Sequence, residues 1–390
     1  MKNKKSILFL TGAYPDFDSS YRGIFIKKLA IRLKEEGYQV FVVTPKIYKE
    51  SRSYEKQNGI RVYRFPFISE NRPLIQYKKI PYSRMILYYI IGFLVTLYVT
   101  LKNQCGLIHA HWAIPIGLIG AVTGVLVHKP LIVTIHGSDQ RMAAERSMFF
   151  RRIFLFVCSR AKHVHCVSYS MKEEVEGWGI EEGKISAFPM AVDESFLQAG
   201  KNRKFDKRDK PITVLSNRNL YSLYNVSLFI RAIPHVIEKD SRWRFLIAGE
   251  GPEREDLENQ AKNLNIGPYV SFLGKVPHEE MSCLLGSADI YVSTSKSDGT
   301  SVSLLEAMAS GAFPIVTNIS SNQKWISDGK NGFLIPLENE VFLAGKIIEA
   351  SQNVDLRKGA SRKNIEIIEK RAEEKKNTSR MIRIYEKAFN

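Results

Sequence analysis

The chain has 390 residues with 44% hydrophobic side chains, too many for one ordinary domain and enough for two globular α/β domains of about 190 residues each. Four cysteines (Cys105, Cys158, Cys166, Cys283) show no paired spacing, which argues against a disulfide framework or a zinc module and for a reducing compartment. The net charge of +17 is lopsided: residues 1–170 hold 26 Lys and Arg against 9 Asp and Glu, and the rest hold 31 against 31. A basic N-terminal half suits an anionic membrane leaflet. Nucleic acid would suit it too, but no recognisable nucleic-acid module accompanies it.

Met1–Lys5 is basic, yet the apolar run Ile7–Leu10 is too short for a signal peptide and reads as a strand. Thr11-Gly12-Ala-Tyr-Pro15 and a polar loop to Arg22-Gly23 follow. An amphipathic helix Ile24–Glu36 is stopped by Gly37, and Val40–Thr44 is the next strand. Residues 78–84 are basic and precede Met85–Leu101, 17 residues without a charge. That length is at the lower limit for a membrane span. The stretch reads as a buried helix feeding the strand Leu107–His109, with a surface-embedded basic-apolar helix as the alternative. The buried strand Leu131–Ile135 ends in His136-Gly137-Ser138-Asp139, and Arg141, Arg146, Arg151 and Arg152 after it read as a solvated helix face. His163-x-His165-Cys166 alternates along a strand, a reading preferred over a metal site; Val164–Ser168 and Ile185–Pro189 end the first half. The charged, unpatterned Gly200–Lys210 reads as a hinge.

The second half restarts with the strand Ile212–Ser216 and Asn217-Arg218-Asn219. Arg244–Gly249 is a strand ending in Gly249-Glu-Gly251, by itself a weak phosphate-loop signal. Val270–Val276 contains the turn Gly274-Lys275. The strands Ala288–Ser293 and Phe313–Thr317 flank a Gly-containing loop and a helix that Gly311 stops, one βαβ unit opening at a sheet's carboxyl edge. Two carboxylates frame that loop. At such an edge Glu306 can accept hydrogen bonds from a ribose diol, and Ser303-Leu-Leu-Glu306 equally fits a capping box; the local pattern leaves both open.

The spacing Asp298-x7-Glu306, within Ser-Asp-Gly-Thr-Ser-Val-Ser-Leu-Leu-Glu-Ala-Met-Ala-Ser-Gly, resembles the acidic motif of family 4 retaining glycosyltransferases. The usual pattern has Glu at both ends; here the first is Asp298. The resemblance extends to Pro189–Asp193, Trp325 and Asn331-Gly332-Phe-Leu-Ile-Pro336. It implies a GT-B fold, two Rossmann-like parallel-sheet domains facing an interdomain cleft. The expected division is an acceptor-side domain over 1–198, a hinge over 199–210 and a donor domain over 211–365. The segment 366–390, the end of a helix from Asp355, would cross back to the first domain.

By the same resemblance Arg218 would clamp the donor diphosphate, Glu306 hold the ribose, Asp298 hold donor-sugar hydroxyls and His136 approach sugar and acceptor. The implied catalytic set is His136, Asp298 and Arg218. The implied donor shell adds Gly23, Tyr224, Asn225, Gly249, Gly251, Gly274, Lys275, Gly299, Thr300, Ser301, Ser303, Leu305 and Glu306. Arg22, His109, His111, His136 and Asp139 fall on the acceptor side. One departure stands out: the Lys-Gly that completes the family's diphosphate clamp reads Tyr224-Asn225, leaving the hydroxyl and amide, or Lys275 or Lys296, to serve instead. The expected activity is retaining transfer from a UDP- or GDP-sugar, with no metal or cofactor. The acceptor would be a glycan or lipid-linked glycan in bacterial-type surface polysaccharide synthesis. The expected place is the cytoplasm, peripheral on the inner face of the plasma membrane. The alternatives are a GT-B nucleotide-sugar epimerase, or a catalytically impaired protein that binds the nucleotide sugar.

Overall fold

Runs such as Ser6–Thr11 and Leu131–Ile135 are buried at every residue, as strands of a parallel sheet covered on both faces must be. A computed structural model of the chain describes residues 5–17, 20, 22–74, 77, 81–205, 210–238 and 242–390. The basic start at 1–4, residues 78–80 of the basic stretch and 206–209 of the charged hinge lie outside the described residues. The chain divides into two compact units, Met1–Pro189 with Lys375–Asn390, and Met190–Glu374.

The first unit comprises β1 (Ser6–Thr11), α1 (Ile24–Glu35), β2 (Gln39–Pro45), β3 (Tyr54–Gln57), β4 (Ile60–Phe65), α2 (Tyr82–Lys102), β5 (Leu107–His111), α3 (Leu118–Leu126), β6 (Leu131–Ile135), α4 (Ser138–Glu145), α5 (Met148–Arg160), β7 (His163–Cys166), α6 (Tyr169–Glu176) and β8 (Ile185–Ala187). Its eight-stranded sheet has the order β3-β4-β2-β1-β5-β6-β7-β8. β3 pairs antiparallel with β4; the other pairs are parallel. The order reverses between β1 and β5, so a ligand crevice is expected at their carboxyl ends. Right-handed crossovers then put α1 on one face of the sheet and α2, α3 and α5 on the other.

The second unit comprises α7 (Glu194–Lys201), β9 (Ile212–Ser216), α8 (Val226–Ile237), β10 (Trp243–Ala248), α9 (Arg254–Asn263), β11 (Val270–Gly274), α10 (His278–Ser287), β12 (Ile290–Ser293), α11 (Val302–Ala309), β13 (Phe313–Thr317), α12 (Ser320–Gln323), β14 (Phe333–Ile335), α13 (Glu340–Gln352) and α14 (Val354–Arg371). Its all-parallel sheet has the order β11-β10-β9-β12-β13-β14, reversing between β9 and β12. The last helix, α15 (Glu374–Phe389), belongs from Lys375 onward to the first unit, where Met381, Ile384 and Tyr385 join the core around Phe9, Ile26 and Leu33.

Three expectations are revised. The division falls after Pro189, not at 198, because Phe196 and Leu197 of α7 are buried in the second unit's core with Leu305 and Met308. The helix expected from Asp355 to the terminus is broken at Ala372, and the return begins at Lys375 rather than 366, because Ile368 and Ala372 pack in that same core. The apolar helix α2 is not buried as a whole. A stripe through Met85, Tyr88, Gly92, Thr96 and Val99 faces the unit's interior, while Ile86, Ile90, Leu94 and Leu101 are exposed.

Candidate functional site

At the switch point of the second sheet, the loop after β9 supplies Arg218, the loop after β12 supplies Asp298 and Ser301, and the first turn of α11 supplies Ser303. Arg218 is 7% exposed. One Nη donates to Ser301 Oγ (2.6 Å) and Ser303 Oγ (2.5 Å), and the other to Asp298 Oδ2 (2.6 Å). The Tyr224 ring lies 4.2 Å from the guanidinium carbon, in cation–π contact. Burial opposes the positive charge, yet Asp298, Tyr291 and Tyr224 outweigh it and hold the guanidinium above its ordinary pKa. Among the described residues Arg218 Nε has no hydrogen-bond partner, although it is buried. Ser301 caps α11 by accepting from Leu304 N (3.3 Å), and Ser303 also accepts from Tyr291 Oη (3.1 Å).

Glycines seat this arginine. A Cβ on Gly249 (φ +156°) would stand 2.1 Å from Arg218 O, and one on Gly251 would stand 2.2 Å from Leu220 O. Gly249-x-Gly251 is therefore the bed on which the Arg218 loop rests. Asn225 sits at φ 48°, ψ 43°, left-handed backbone that Asn adopts more readily than other L-residues. Thr294 Oγ1 donates to Asn225 O (2.8 Å), fixing the turn that presents Tyr224. Ser301, not Ser303, is the N-cap of α11, and among the described residues Glu306, expected at the ribose or in a capping box, makes no capping hydrogen bond; its Oε1 meets His278 Nε2 at 3.1 Å.

In the first unit, His136 follows β6 and lies among Trp112 (4.4 Å between centroids), Phe25 (5.2 Å) and His111 (5.4 Å, stacked). His111 Nδ1 and His136 Nε2 are 3.1 Å apart, and His111 Nε2 is buried without a partner among the described residues. The arrangement that strands no buried N–H has His111 Nδ1–H donating, which leaves neutral His136 with its proton on Nδ1. Burial pushes the His136 pKa down to about 3. Trp112 holds a positive φ of 77°, an uncommon conformation for a bulky residue. Asp139, 1% exposed, accepts from Ala113 N (2.7 Å), Gly137 N (3.1 Å) and His136 N (3.2 Å), and burial raises its pKa to about 6. Gly23 (φ +71°) caps α1 where a Cβ would stand 2.2 Å from Ala13 O.

Residues 199–386 match the family described as Glycosyl transferases group 1, and residues 23–196 match Glycosyltransferase Family 4. The chain belongs to the family 4 glycosyltransferases. Among its relatives, the alpha-monoglucosyldiacylglycerol synthase of Streptococcus pneumoniae is 26% identical over 343 residues, 83% of this chain and 74% of that protein. An uncharacterized glycosyltransferase of Methanocaldococcus jannaschii is 26% identical over 378 residues, 92% of each. Sucrose-phosphate synthase from Thermosynechococcus elongatus matches the fold with a TM-score of 0.78 at 17% identity, covering 99% of both chains. Anabaena HepE in complex with UDP matches with 0.75 at 15% identity, covering 98% of this chain and 100% of that one. The fold is GT-B.

Several expected contacts of this glycosyltransferase are structural instead. Leu305 is fully buried in the core, and its backbone N–H is spent on Ser301 O, so it offers a donor nothing. His109 is fully buried in a hydrogen-bonded chain: Tyr385 Oη to His109 Nδ1 (2.8 Å), His109 Nε2 to Thr134 Oγ1 (2.7 Å), Thr134 Oγ1 to His165 Nδ1 (3.1 Å), His165 Nε2 to Phe188 O (2.9 Å). The carbonyl at its end can only accept, which fixes the direction of every donor. Asp139 is likewise too buried to meet an acceptor and instead ties the β5 and β6 loops together. Arg22 is spent on Asp16 (2.7 Å) and Gly12 O (2.8 Å). Lys296 pairs with Glu338 at an exposed position (3.0 Å), and Lys275 is exposed on the turn at Gly274. Gly299 and Thr300 are half-buried in the loop between Asp298 and the Ser301 cap. His278, Tyr291, Trp112 and Phe25 are missed by sequence reasoning. Pro277 before His278 is a helix-start signal, and nothing local marks the others.

Proposed function

We propose that this glycosyltransferase moves a sugar with retention of configuration from a UDP- or GDP-sugar to a glycan or lipid-linked glycan acceptor. The setting would be bacterial-type surface polysaccharide synthesis on the cytoplasmic side of the membrane, with no metal or cofactor required. The observation that carries the donor half is Arg218: a buried guanidinium at a sheet switch point, pinned by Asp298 and two serines, with Nε unpartnered among the described residues. Donor binding would exchange the Asp298 carboxylate for diphosphate oxygens on Arg218 and release Asp298 toward the sugar hydroxyls. Glu306 would exchange His278 for the ribose diol, each charge-assisted hydrogen bond contributing about 1.5–3 kcal/mol. Positive charge at the leaving diphosphate would come from Arg218, fixed before the reaction rather than reorganised during it. Neutral His136 would donate Nδ1–H to a sugar or acceptor hydroxyl.

Two findings support the choice of substrates. HepE was crystallised with UDP and with UDP-glucose. The Streptococcus relative is named for a glucosylated diacylglycerol. Among the described residues no group of three or more His, Cys, Asp or Glu side chains gathers as a metal site. The test is NMR of the product formed from an α-linked sugar nucleotide. An α-glycosidic product supports retention, and a β-glycosidic product contradicts it.

A further inference from the structure

The helix α2 is 21 residues long, about 31 Å, and carries charge only at its ends, Arg84 and Lys102. Its outward stripe is built from Ile86 (63% exposed), Leu87, Ile90, Leu94 (56%), Tyr98 and Leu101, where a helix facing water would carry polar side chains. The neighbouring α3 packs between α2 and α5 and exposes Val122, Val125 and Leu126. On α5, Phe149 and Phe156 alternate with Arg152 and Arg160 at helical spacing, and the Arg160 guanidinium lies 5.4 Å from the Phe156 ring centroid. One layer of helices thus presents apolar side chains on three adjacent elements, larger than a lone exposed residue explains. Its charges are one-sided: α2, α3 and α5 carry Arg84, Lys102, Arg151, Arg152 and Arg160 and no acid, with Lys129 in the turn after α3, and Glu70 pairs with Arg84 at the start of α2.

We infer that the α2–α3–α5 face is a docking surface for an anionic lipid bilayer. The apolar stripe enters the acyl boundary, and Lys102, Lys129, Arg152 and Arg160, all exposed, meet the lipid phosphates. The helix lies on the membrane rather than through it, because its other stripe is committed to the domain. Tyr88, Thr96 and Val99 are fully buried, and a Cβ on Gly92 would stand 2.7 Å from Ile119 of α3. The inference stands apart from the donor chemistry, since none of these residues lies in the sites described above.

The test is co-sedimentation of the full chain with vesicles of equal parts phosphatidylcholine and phosphatidylglycerol, beside phosphatidylcholine alone. Binding is expected to the anionic vesicles, weakened by salt and reversed by a carbonate wash. Ile90→Glu/Leu94→Glu should weaken it at least about tenfold, and Arg152→Glu/Arg160→Glu should remove the preference for anionic lipid. Both variants should keep the wild-type melting temperature and its shift with nucleotide sugar, which separates failure of this surface from failure of the donor site. Four results would overturn the inference: no vesicle binding by the wild type; full binding by a folded Ile90→Glu/Leu94→Glu variant; retention after the carbonate wash, which marks a span; or a dimer that the same variant dissociates, which marks a second copy as the occupant.

Discussion

Arg218 is held from three directions before any substrate arrives, so its removal deletes a preorganised charge rather than a flexible contact. Arg218→Ala should lower kcat/KM by about 10²–10³-fold, read in a nucleotide-release assay. Asn225 belongs to the same scale. At φ 48° it occupies backbone that Gly adopts freely and Asn tolerates, so the Gly that the resemblance places here would fit the same turn. Asn225→Gly should leave stability within a few tenths of a kcal/mol, and Asn225→Ala should cost about 1 kcal/mol, both measured by urea unfolding. Histidine gives the pH dependence. Burial depresses His136 and His165 to about 3 and His163 to about 4, against about 6.5 in an unfolded chain. The unfolded state therefore binds more protons across that window; this stability is complete above about pH 6.5 and drains away as pH falls toward 3. Asp139, raised to about 6, binds its proton earlier in the folded state and offsets part of the loss below pH 6. The melting temperature should drop between about pH 7 and about pH 5, and the drop should shrink in His165→Gln, which keeps an amide donor and cannot titrate. An unchanged melting temperature would contradict the buried chain.

At the scale of elements, the strands and α11 were readable because a doubly covered parallel strand is continuously apolar and a helix repeats its apolar face. The role of Gly249-x-Gly251 was not, since the sequence cannot say what lies over a glycine. Here it is the carbonyls of Arg218 and Leu220. Gly249→Ala should therefore cost about 1–3 kcal/mol in thermal unfolding and, by displacing the loop, lower activity as Arg218→Ala does. The β3–β4 hairpin escaped notice although Asn58-Gly59, both at positive φ, is a strong turn signal, because Glu55, Lys56 and Gln57 make an edge strand without an apolar run. For α2, composition and length gave the helix but not its surroundings: a core helix and a membrane-surface helix share the same apolar residues, and only the tertiary partners separate them. The hinge assigned to 199–210 overlapped α7 because Phe196 and Leu197 are too few to betray a helix by periodicity.

Across the whole molecule, each unit places its candidate chemistry at or beside the point where its strand order reverses: Trp112 after β5 with His136 after the next strand β6, and Arg218 with Asp298 after β9 and β12. That correspondence follows from the α/β architecture itself, because adjacent loops diverge only at a switch point and leave room for a ligand. The charge asymmetry is of the same order, with the surplus lysine and arginine confined to the first 170 residues. The proposed binding of a nucleotide sugar by the second unit through Arg218 and Glu306 is measured by titration calorimetry with UDP-, GDP- and ADP-sugars, on the wild type and on Arg218→Ala and Glu306→Ala. Saturable binding of one donor class to the wild type is expected, weakened at least about tenfold in each variant, in line with the loss of a charge-assisted hydrogen bond. No binding of any nucleotide sugar to the wild type, or equal binding to all three proteins, would contradict it.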